Sequence, residues 1–125
     1  MPIRHSFLRL GVALVALAAP PALAHHSFAM FDYQKNITVS GTVKELQWTN
    51  PHIWIQLMVK DASGKEVEWS IEGGSPNGLK RQGWSRKALN TGDQASIVIH
   101  PLKDGSAGGA LVSLSVNGVT LGRGA

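Results

Sequence analysis

His25 and His26 directly follow Ala22-Leu23-Ala24, and a third histidine, His52, follows the pair Asn50-Pro51 with Trp54 two residues further on. Imidazole nitrogens suit borderline metals, and a histidine at a free amino terminus can hold copper(II) through its amine and its ring. A histidine at the second position, here His26, offers a competing chelate of amine, amide and imidazole. His52 is the best internal partner. His25, His26 and His52 therefore form a candidate metal set with copper as its cofactor, and Met30 and Met58 are soft donors for copper(I). The terminal ligands exist only if the chain is cut after Ala24. The competing reading takes the pair as the polar start of a secreted chain, and His52 as a turn imidazole satisfying nearby backbone groups. His100, just before Pro101, reads as the structural end of an apolar run.

Aromatic residues make a second constellation. Trp54 lies out of phase with Ile53 and Ile55, which leaves a large ring on the outer face of its strand, and His52, Trp54 and Trp48 are the candidate ligand-binding residues. The competing expectation is that Phe28, Phe31 and Tyr33 fold back and cover Trp54. Glu66, Glu68 and Glu72 alternate as carboxylates on a solvated sheet face would. No nucleophile elbow, cysteine or glycine-rich nucleotide fingerprint accompanies them, so no enzymatic activity is expected. Lys80, Arg81, Arg86 and Lys87 are the one feature that suggests nucleic acid. The near-neutral balance described next argues against such a partner.

The first twenty-four residues read as an export signal: Arg4 and Arg9 form a positive start, Leu10 to Ala19 an apolar stretch, and Ala22 and Ala24 the small residues of a cleavage site. That stretch is too short to cross a hydrocarbon core of about 30 Å, so no transmembrane helix is expected. Cleavage leaves 101 of the 125 residues, enough for one domain. Of the twelve Lys and Arg residues, Arg4 and Arg9 leave with the signal, and the remaining ten face eight acidic residues. With no cysteine there are no disulfides and no lipid-bearing thiol, so the expected address is periplasmic or secreted.

The dominant period of the remaining chain is two. Ile37 to Lys44 alternates, then the apolar phase shifts to Leu46 and Trp48, predicting a bulge or sharp coil between Gly41 and Glu45. A second strand begins at His52 with Ile53, Ile55, Leu57 and Val59 inward. Asp61-Ala62-Ser63-Gly64 turns into a third, with Val67, Trp69 and Ile71 inward. Ser75 as N-cap, Pro76 and Gly83 delimit a short helix, with Trp84 as an anchor beyond it. Ala95–His100 and Ala110–Val116 are the fourth and fifth strands, and Asn117-Gly118 turns into a short tail. Three strands, a helix and two strands predict an all-β domain with one short helix, a five-stranded OB-like Greek-key barrel over residues 37–121. Residues 25–36 pack on it, and the alternative is a small open antiparallel sandwich.

The motifs HHSFAMFD from His25, WTNPHIW from Trp48, EWSIEGGSPN from Glu68 and PLKDG from Pro101 resemble a family of small exported bacterial proteins of unknown function. The resemblance spans essentially the whole mature chain and implies export and a small β-rich domain, with no activity attached. The expected function is a non-enzymatic exported binding or accessory module, with its site around the N-terminal histidines, His52 and Trp54. Two alternatives are a periplasmic copper-binding protein and an envelope module whose partner is a protein or a glycan.

Overall fold

The structure, a computed structural model, describes residues 28–122. The expected signal segment and the metal candidates His25 and His26 lie outside the described residues. A short 3-10 turn, Phe28–Met30, leads into six strands and one helix. The strands are β1 (Ile37–Gln47), β2 (Trp54–Lys60), β3 (Glu66–Glu72), β4 (Gln94–Pro101), β5 (Gly108–Val116) and β6 (Val119–Gly122), with α1 (Pro76–Arg81) between β3 and β4.

The sheet order is β3-β2-β1-β4-β5-β6, and a parallel pairing of β3 with β5 closes the first five strands into an OB-like barrel. Closure overturns the open sandwich. β1 makes it possible by pairing with β4 through residues 37–42 and with β2 through residues 42–47, its register shifting between Val43 and Glu45. The bulge changes the inward phase, so Val39 and Val43 are buried before it and Trp48 after it. A Cβ at Gly41 would overlap the Met58 carbonyl, so the coiled strand approaches β2 only with glycine there. At the closing seam Gly109 faces the same constraint against the His100 carbonyl.

Ile53, Ile55, Leu57, Ile71, Ile97, Ile99 and Leu114 fill the interior, all at most 1% exposed. Leu79 and Trp84 are buried in the same core. Ser75 caps α1 by accepting from the Gly78 N–H, and after Gly83 the Trp84 N–H returns to the Leu79 carbonyl, as in a Schellman ending. Trp84 also donates Nε1–H to the Gly122 carbonyl at 2.8 Å, tying helix to β6.

Four expectations need correction. The tail after Asn117-Gly118 is a sixth strand, because both turn residues take positive φ (51° and 76°) and fold β6 back onto β5 as a hairpin. β2 begins at Trp54 rather than His52, since Ile53 is tied to Gly73 and Gly74 outside the ladder. β5 begins earlier, at Gly108, to make the seam. Val67 and Trp69 are only half-buried, because β3 gains its second neighbour only at Ser70. Among the described residues no helix is long and apolar enough to cross a membrane.

Candidate functional site

One row of outward-facing residues crosses four strands. Trp54 stands opposite Glu72, Glu72 opposite Ala110, and Ala110 opposite His100. The closing seam creates this row, since only the β3–β5 pairing brings Glu72 beside Ala110. Neighbouring strands lie about 4.8 Å apart, so the α-carbons of Glu72 and His100 stand about 10 Å apart with only the Ala110 methyl between them. The resulting open cavity has a volume of about 410 Å³, and Gly73, Gly74, Ser75 and Leu111 complete its barrel wall.

The N-terminal segment supplies the other wall. Phe31 is buried and bridges to Leu102, the Asp32 N–H donates to the Pro101 carbonyl, and the Lys103 N–H donates to the Met30 carbonyl. These bonds hold the segment along the end of β4. Phe28 packs edge-on to His52 with ring centroids 6.4 Å apart, and Tyr33 edge-on to His100 at 5.0 Å. Residues 28–36 thus lie on the barrel, but Phe28, Phe31 and Tyr33 line this cavity instead of covering Trp54. Trp54 is half-buried in the row beyond Glu72.

Both histidines are oriented by a bond on Nδ1. His52 Nδ1 lies 2.5 Å from Glu72 Oε1, with the two side chains 30% and 12% exposed. A carboxylate accepts, so Nδ1 carries the proton. His100 Nδ1 donates to the Lys35 carbonyl at 2.8 Å. In each neutral ring Nε2 is then the lone-pair nitrogen, and neither Nε2 has a hydrogen-bond partner among the described residues. This is how histidines are set when they accept from a ligand or bind a metal. Among the described residues, Glu72 is the lining residue with a formal charge, and no lysine or arginine contributes to the wall. The ammonium of Lys35, whose carbonyl accepts from His100, is paired with Asp32 at 3.3 Å.

The site residues expected from the sequence separate. His52 is at the cavity, while Trp54 stays outside its lining. Trp48 is 9% exposed and belongs to the core, because the β1 bulge turns it inward. Glu72 leaves the solvated glutamate face by pairing with His52, whereas Glu68 stays on that face and meets Lys44 at 2.6 Å. His100 is a cavity residue as well as the end of its strand. Pairing Glu72 with Ala110 and His100 needs the parallel seam, which alternation within one segment does not encode. Lys80, Arg81, Arg86 and Lys87 are exposed on and after α1.

Residues 6–112 match the model of a family of unknown function, DUF6152. No curated protein matches the chain.

Proposed function

From the premise that the chain belongs to this family, DUF6152, whose function is unknown, we propose that it is a non-enzymatic, exported binding or accessory module, periplasmic or secreted, whose site is the cavity over Ala110. The reading is carried by one observation: two imidazoles with anchored Nδ1, and with Nε2 unpartnered among the described residues, line the same open cavity. Its occupant is a small molecule or a side group of an envelope protein or glycan. An NMR screen of small-molecule fragments against the mature chain tests the site. Shifts should centre on Phe28, His52, Glu72, His100 and Ala110; hits confined to other surfaces would overturn it.

A second reading, a copper(II) protein using His25, His26 and His52, is favoured by the Glu72 bond on His52 Nδ1, which leaves Nε2 as the ligand nitrogen. His26 precedes Phe28 by two residues, and Phe28 already packs on His52, so covalent reach permits the set. Intact mass of the exported protein should correspond to residues 25–125. Copper affinity, measured by competition with a chelator, should fall about tenfold or more in His52→Ala and when one residue is added before His25. Unchanged affinity in both variants removes this reading.

A further inference from the structure

The cavity wall is chemically one-sided. It offers acceptors in the two imidazole Nε2 atoms and negative charge in Glu72, and three aromatic rings in Phe28, Phe31 and Tyr33. Among the described residues it offers no side-chain cation. A carboxylate or phosphate placed there would be desolvated next to Glu72 with no counter-charge, which is costly. A ligand carrying N–H donors and positive charge meets the reverse situation: imidazole Nε2 atoms accept its protons, a carboxylate faces its charge, and aromatic rings within about 6 Å attract it further.

Geometry limits its size. The row places Glu72 and His100 on either side of the Ala110 methyl, with Phe28 against His52 at one side and Tyr33 against His100 at the other. The volume of about 410 Å³ is at the small end of ligand sites and suits a body of about one ring with a short arm. We propose that the slot over Ala110 binds a small organic ammonium ion, a primary amine on an apolar body of about one ring, through the Nε2 atoms of His52 and His100, the charge of Glu72 and the rings of Phe28 and Tyr33. This rests on the cavity being the binding site, as proposed above, and adds the class of ligand.

Three probes of nearly equal shape test it: benzylamine, benzyl alcohol and benzoate, each titrated into the mature chain by NMR at pH 8, where a primary amine remains charged. Benzylamine should bind at least about tenfold more tightly than either of the others, the ratio expected from one charge-assisted contact. Glu72→Gln keeps an oxygen for His52 Nδ1 and removes the charge. It should erase that preference. Ala110→Leu should block all three probes by filling the floor. Benzyl alcohol or benzoate binding as tightly as benzylamine to the unaltered chain would overturn the ammonium assignment and leave the binding module standing. Absence of shifts from all three overturns the assignment too, and the wider fragment screen then decides separately whether the cavity binds anything.

Discussion

Two sets of side chains on the same strands, one residue apart, differ in nearly every property. Ile55, Ile71, Ile99 and Leu111 point into the barrel and are at most 3% exposed. Trp54, Glu72, Ala110 and His100 point outward, are half-buried, and mix a ring, a carboxylate, a methyl and an imidazole. The inner set is defined by volume and absence of polarity, so any closed barrel with this alternation would need residues like these. The outer row is defined by which residues meet, and its members come from four segments that only the seam unites. One set makes the fold, the other makes a site.

The sharpest way to break that division is to truncate across it. Ile71→Ala should cost about 2 to 5 kcal/mol in chemical denaturation, the loss of a fully buried branched side chain plus the cavity left behind. Ala110→Leu, one pairing away on the outer face, should stay within about 1 kcal/mol, because the added methyls enter open space rather than packed core. Similar losses in the two variants would mean that the outer row is part of the core.

Trp69 tests the boundary between the two sets. Its alternation with Val67 and Ile71 marks it as inward, yet it is half-buried where β3 lacks a second neighbour. Trp69→Ala should therefore cost about 1 to 3 kcal/mol, below the 3 to 5 expected of a fully buried aromatic. A loss at the top of that range would place the whole of β3 inside the closed barrel. Ser75→Ala should cost about 1 kcal/mol by removing the acceptor for the Gly78 N–H, and thermal unfolding should register it. That cap lies where the cavity wall meets α1, so a larger loss would tie site and helix together energetically.

These cases show what was readable along the chain. The β1 bulge, the helix with its serine cap and proline, the inward isoleucines and the five-strand count all rest on neighbours within a few residues, and local pattern carries such information. The sixth strand was equally local: Asn117-Gly118 is a strong hairpin signal, and what hid it was the shortness of the segment beyond. The cavity is different. His52 stands out by its motif, but its bond to Glu72 crosses twenty positions, and the Tyr33 packing on His100 crosses sixty-seven. Glu72 looks like Glu68 until β5 arrives beside it. Trp48 looked available until the bulge turned it inward.

Asp61 is the local counterpart of Glu72, a carboxylate whose partners all lie within four residues, and it gives the smallest expected effect. The Ser63 hydroxyl, 2.6 Å away, is the main cause holding its carboxyl below the ordinary value of 3.8; a slight burial opposes it, and the N–H groups of Lys65, Ser63 and Gly64 add to the lowering. A carboxyl that titrates lower in the fold than in the unfolded chain stabilises the fold fully above the unfolded value, and that contribution is lost as pH falls through the folded one. The window therefore lies below about pH 4. Asp61→Asn is neutral at every pH, so its urea midpoint should lie slightly below that of the parent at pH 5.5, and the gap should narrow at pH 2.5 as the parent takes up its proton. A gap that stays constant between the two would show that charge at this turn contributes nothing, and that the Asp61 to Ser63 bond acts through geometry alone.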